Sequence, residues 1–93
     1  MTVVQVPGKN VGSVKLYALS TCGWCQKTKK ILNEMGVAYE YEDVDQLYGD
    51  ERDKAVEEIT KWNSSRSFPT IVIDNKRCIV GYREDEIKET LGK

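Results

Sequence analysis

Cys22-Gly23-Trp24-Cys25 are the residues of this chain best suited to chemistry, because two thiols at this spacing can trade a dithiol for a disulfide. That exchange moves two electrons and needs no cofactor. The thiolate is the reactive form, and two features of the surroundings favour it at Cys22. The motif opens a helical pattern, so the first cysteine lies against unpaired N–H groups and the positive dipole end, and Lys27, Lys29 and Lys30 add positive charge in the first turns. Cys22 is therefore expected to have a lowered thiol pKa and to attack, while Cys25, one turn inside the helix, is expected to resolve the mixed disulfide. A zinc site fits poorly, since the chain has no histidine and only one further cysteine, Cys78. A purely structural disulfide fits poorly too, because so short a loop removes little entropy from the unfolded chain.

The elements that must position the pair follow from periodicity. A short apolar strand is predicted over 14–19 (VKLYAL), with Ser20 and Thr21 as the turn. A helix over 23–35 follows, with Trp24, Thr28, Ile31, Leu32 and Met35 at helical spacing and Gly36 as its stop. In a second strand over 37–44, Val37, Tyr39 and Tyr41 alternate with Ala38, Glu40 and Glu42. A helix over 49–62 is predicted to turn Ala55, Val56, Ile59 and Trp62 inward. The strands over 70–73 and 76–80 form a hairpin at Asp74-Asn75, and a last helix over 83–91 buries Ile87 and Leu91. Residues 1–12, with Pro7, Gly8 and Gly12, read as a tail or an extra edge strand before a domain over 13–93. The β-α-β-α-β-β-α order implies a four-stranded mixed sheet with three helices, a parallel first pair and an antiparallel hairpin.

Composition narrows the class. At 93 residues, with 40% apolar and 31% charged, the chain can bury one modest core and is expected to be a single domain. A net charge of −1 leaves no basic footprint for nucleic acid, and no apolar run approaches membrane length. Residues 1–7 (MTVVQVP) lack the basic and apolar regions of a signal peptide, and three cysteines, an odd number, argue against a secreted disulfide framework. The expected location is the cytoplasm. Cys78, in Cys78-Ile79-Val80, reads as a small core hydrophobe.

Taken together, three segments resemble the glutaredoxins and, within them, the thioredoxin-active NrdH-redoxins that supply ribonucleotide reductase. They are Cys22-Gly23-Trp24-Cys25, Ser67-Phe68-Pro69-Thr70 and Val80-Gly81-Tyr82-Arg83-Glu84-Asp85, and the resemblance runs from Ser13 to the C-terminus. It implies a thioredoxin fold and a cis Phe68–Pro69 bond. It also implies that the Phe68 backbone faces Cys22 and pairs with an extended substrate, with Phe68, Pro69, Gly81, Tyr82 and Arg83 binding substrate. Tyr82 and Arg83 either clamp the substrate or cap and solubilise the last helix. Trp24 reads as a contact for the partner protein rather than as part of the inner helix face, and Arg66 as a solvated loop residue rather than a partner for a substrate carboxylate.

Departures from the family pattern bear on the partner. Glutathione-dependent glutaredoxins carry a lysine three residues before the first cysteine and Gly-Gly before the last helix, where this chain has Leu19 and Gly81-Tyr82. Ordinary thioredoxins place a tryptophan before the first cysteine and a buried acid six residues before it, where this chain has Thr21 and Leu16. Glutathione is thus disfavoured as a ligand, and the expected substrate is a protein disulfide. The expected partner is an external reductase of the thioredoxin type, a ferredoxin-linked enzyme or the glutathione system. No cofactor and a monomer are expected, and proton transfers fall to solvent, the thiols or Lys27. The rival readings are a glutathione-linked glutaredoxin and an iron–sulfur carrier in which Cys22 holds a cluster between two subunits, Gly23 leaving it room.

Overall fold

Alternating strand and helix signals become, in the computed structural model, a five-stranded mixed sheet with three α-helices. Residues 3–63 and 68–92 are described, so Arg66 and Ser67 lie outside the described residues. The elements are β1 (Val4–Val6), β2 (Val14–Ala18), α1 (Gly23–Met35), β3 (Tyr39–Asp43), a 3₁₀ turn (Val44–Gln46), α2 (Gly49–Trp62), β4 (Thr70–Ile73), β5 (Arg77–Val80) and α3 (Glu84–Leu91). Strands lie in the order β1-β3-β2-β4-β5. Helix α1 crosses between β2 and β3, which are parallel with Leu16 opposite Tyr41, and every other neighbouring pair is antiparallel. This is a thioredoxin-like fold.

Alternation along β2 builds two cores. Val14, Leu16 and Ala18 pack with Ile31 and Leu32 of α1 and Ile87 and Leu91 of α3 on one face. Tyr17, on the other face, packs with Val72 and with Ala55 and Ile59 of α2. A central strand covered on both sides gives the site a rigid floor. Gly36 ends α1 in the left-handed region (φ 69°), as its position predicted. Asp74 and Asn75 adopt φ 52° and 55°, the paired positive values of a tight hairpin turn.

Several details differ from the sequence reading. Strand β2 ends at Ala18, which leaves Leu19 in the turn. The strand predicted over 37–44 is shorter, and Val37 instead makes an isolated parallel bridge to Lys9. Glu42 is buried, against simple alternation, because Lys15 on the neighbouring strand reaches it at 2.8 Å beneath α2. Trp24 leaves the inner face of α1, which is made by Cys25, Thr28, Ile31 and Leu32. Of the tail-or-strand alternatives for the N-terminal segment, Val4–Val6 forms the strand, pairing with Tyr39–Tyr41. Among the described residues no helix is long and apolar enough to cross a membrane.

Candidate functional site

The site begins where β2 stops. Leu19, Ser20 and Thr21 turn the chain into α1, and the Cys22 N–H donates to the Leu19 carbonyl at 3.2 Å. Cys22 is the N-cap of α1, with extended backbone (φ −86°, ψ 120°), and its Sγ accepts the Cys25 N–H at 3.3 Å. No acidic residue stands in the first turn to oppose negative charge there. Both cysteines are free thiols; Cys22 is half-buried and Cys25 is 0% exposed. Burial first, and then the hydrogen bond with Cys22, push the Cys25 thiol up to about 12, against a backbone hydrogen bond from Leu19 and the charge of Lys29. The pair is therefore asymmetric, with one sulfur at the surface and one held protonated beneath it.

An anchor for this turn escaped the sequence reading. The Asp45 carboxylate, in the 3₁₀ turn after β3, accepts the Ser20 N–H at 2.8 Å and also the Ser20 hydroxyl. Gln46 Nε2 donates to Ser20 Oγ at 3.2 Å, and Gln26 Nε2 to the Ser20 carbonyl at 3.1 Å. The Ser20 hydroxyl, and next its N–H, hold the Asp45 carboxyl below the usual carboxylate range. Only the short polar run Asp45-Gln46 hints at this in sequence, and nothing local says that it meets Ser20. The lysines are also more committed than spacing implied. Lys27 Nζ lies 4.6 Å from the centre of the Trp24 ring, while Lys29 pairs with Asp43 at 2.9 Å and lies 4.1 Å over Tyr41.

The other two segments close around the cysteines. The Phe68–Pro69 bond is cis, and the Pro69 carbonyl accepts the Gly81 N–H at 2.8 Å. Gly81 has φ 85°, a left-handed value that glycine tolerates without strain. Tyr82 stacks on Trp24 with ring centres 5.7 Å apart and planes at 28°, and its hydroxyl donates to Glu84 at 3.3 Å. Trp24 is nonetheless 57% exposed. Cys22, Phe68 and Tyr82 all pack, partly buried, against the α1–α3 core. Arg83 is exposed, and its Nε donates to the Val80 carbonyl at 3.1 Å, so this side chain is turned back on β5. Cys78 stands apart from the pair, half-buried against the α2 core, its thiol donating to the Trp62 carbonyl at 3.4 Å. Of two larger grooves, one of about 560 Å³ is lined by groups including Lys15, Glu42 and Glu58. It contains none of the cysteines.

A glutaredoxin family profile matches residues 14–78. The chain is 32% identical over 80 residues to an uncharacterized glutaredoxin-like 8.6 kDa protein in the rubredoxin operon of Clostridium pasteurianum, covering 86% of this chain and 99% of that one. It is 33% identical over 63 residues to glutaredoxin 1 of Rickettsia conorii, covering 68% of this chain and 59% of the relative. Among solved structures, the glutaredoxin from Methanosarcina mazei superposes with a TM-score of 0.93 at 47% identity, covering 100% of this chain and 90% of that one. Methanoredoxin from Methanosarcina acetivorans gives 0.89 at 43% identity, covering 92% and 90%.

Proposed function

The chain belongs to the glutaredoxin family, whose kind of function is thiol–disulfide oxidoreduction, and from that premise we propose that it is a dithiol reductase of protein disulfides. What supports this reading is the asymmetry of the pair. Cys22 stands half-buried at the N-cap of α1 and receives an N–H, and Cys25 lies fully buried behind it with a proton retained.

In the first step the Cys22 thiolate attacks one sulfur of the substrate disulfide. A Cys22–substrate bond forms, the substrate S–S bond breaks, and the other substrate sulfur leaves with the electron pair and takes a proton from solvent. In the second step Cys25 gives up its proton and attacks the Cys22 Sγ. The Cys22–Cys25 disulfide forms and the second substrate thiol departs, so the substrate gains two electrons and the protein loses two. An external reductase then restores the dithiol. Trp24 and Tyr82, with the Phe68–Pro69 backbone and Gly81, form the surface offered to the partner. Leu19, where the glutathione-dependent pattern has a lysine, supports protein over glutathione as the substrate.

The test is a disulfide-reduction assay run in parallel with glutathione plus its reductase and with a thioredoxin-type reductase. Turnover is expected with the latter, abolished in Cys22→Ser. Reduction that survives Cys22→Ser, or that runs only with glutathione, defeats the proposal.

A further inference from the structure

A cleft of about 280 Å³ lies between the β2–α1 turn and α2. Its walls are Leu19, Val44, Val56, Ile59 and Phe68. Two of these walls belong to the reactive unit, since the Leu19 carbonyl holds the Cys22 N–H and Phe68 precedes Pro69. The polar groups that line it are Asp45 and Arg52, both exposed residues. The Asp45 carboxylate is already engaged by Ser20. An apolar side chain gains by leaving water for such walls, whereas a charged group would trade its water for apolar contacts and one exposed arginine.

Resting on the reading of the chain as a protein-disulfide reductase, we infer that this cleft is a specificity subsite for one bulky aliphatic or aromatic side chain, carried by the protein substrate next to its reactive cysteine. Size supports this, because the space falls just below the roughly 300 Å³ at which whole-ligand pockets begin. It suits a side chain better than a tripeptide. The backbone supports it as well. Strand β4 begins at Thr70, and neither the N–H nor the C=O of Phe68 makes a backbone hydrogen bond among the described residues. An extended substrate segment satisfies both groups, and its alternating side chains then fall one toward Cys22 and a neighbour toward the cleft. Glutathione, with γ-glutamate and glycine beside its cysteine, offers no apolar side chain for this place.

The experiment uses disulfide peptides that differ only in having Leu, Gly or Asp at one position within two residues of the reactive cysteine, with glutathione disulfide as a further substrate. One position is expected at which Leu raises kcat/KM about tenfold or more over Gly, with Asp no better than Gly. In Val56→Trp, which fills the cleft, the Leu-to-Gly ratio is expected to fall to about one. The wild-type peptide series stands by itself should that variant fold poorly. Equal rates for Leu, Gly and Asp at every position overturn the subsite and leave the dithiol mechanism standing. Preference for Asp or for glutathione disulfide gives the cleft to anions through Arg52 and likewise overturns it. Failure to reduce any of the peptides defeats the reductase reading itself.

Discussion

The two sulfurs of the motif are chemically unlike because of what surrounds each one. Cys22 has an N–H donor and a helix terminus, whereas Cys25 has an apolar core that raises its thiol to about 12. In the proposed second step Cys25 must lose that proton. No histidine is available, and the positive charge that pulls the thiol down is that of Lys29, one helical turn beyond it. Lys27, expected from sequence as one proton carrier beside solvent and the thiols, lies on the Trp24 ring. Lys29 is held by Asp43 at 2.9 Å, with both side chains largely covered at 14% and 22% exposure. In the proposed resolving step it would serve as a positioning residue, its charge partly neutralised by Asp43. Replacing Lys29 by Met is expected to raise the Cys25 thiol slightly further, so that the mixed disulfide builds up and its resolution at neutral pH slows by up to about threefold. Formation of the mixed disulfide should slow less than its resolution. Asp43→Asn should move resolution the other way, because the lysine charge is then less neutralised. Rapid quenching and mass spectrometry separate the two steps, and equal slowing of both by Lys29→Met would reduce the lysine to a structural role.

Between elements, the pair that joins β2 to β3 shows how burial changes the value of a charge. Lys15 meets Glu42 at 2.8 Å beneath α2, with side-chain exposures of 29% and 11%. Burial, the largest influence on Lys15, lowers its pKa, but the hydrogen bond and charge of Glu42, helped by Tyr17, outweigh it and leave the value raised. A raised lysine stabilises the fold fully below its unfolded value of about 10.4, and that contribution is lost as pH climbs through the folded value. Lys15→Met leaves the buried Glu42 carboxylate without this partner and is expected to destabilise by about 1–3 kcal/mol in urea titrations at pH 7. The deficit should shrink above pH 10. A double change to Lys15→Met with Glu42→Leu should recover much of it, and an unaltered midpoint in the single variant would remove the pair from the stability of the sheet. This pair also marks the limit of reading elements from sequence. Helix α1 was legible to the residue, Gly23–Met35, because its periodicity and the Gly36 stop are local signals. The burial of Glu42 was not, since it depends on a lysine two elements away. The same holds for the site: Cys22 and Cys25 announce themselves by spacing, while the Asp45 anchor on Ser20 and the Trp24–Tyr82 stack exist only after the chain has crossed over the sheet.

Across the whole molecule, the reactive turn lies at the C-terminal ends of the parallel strands, and a strap closes the opposite end. There β1 covers the outer edge of β3, the Lys9 N–H donates to the Gly36 carbonyl at 2.8 Å, and the Ala38 N–H donates to the Lys9 carbonyl at 2.8 Å. Gly8 makes this close approach feasible, because a Cβ there would stand 2.6 Å from both the Gly36 carbonyl oxygen and the Val37 carbonyl carbon. Those are backbone atoms and cannot swing aside as a flexible side chain would. Gly8→Ala must therefore displace the strap, for about 1–3 kcal/mol by analogy with overpacked cores. Detaching β1 uncovers the N–H and C=O row of β3, an open edge that invites pairing with a second chain. The expected signature is a lowered melting temperature, faster amide exchange in β1, at Lys9 and over residues 38–41, and self-association that grows with concentration. Cys22, at the far end of the sheet, should alkylate at its wild-type rate. Gly23→Ala is the matched control beside the reactive thiols: a Cβ there meets nothing within 4 Å, so it should be neutral or stabilise α1 by up to about 1 kcal/mol. If Gly8→Ala melts like the wild type, the strap does not hold the edge. If it instead slows Cys22, the two ends of the sheet are coupled through β3, and the division between a reactive end and a fastening end fails.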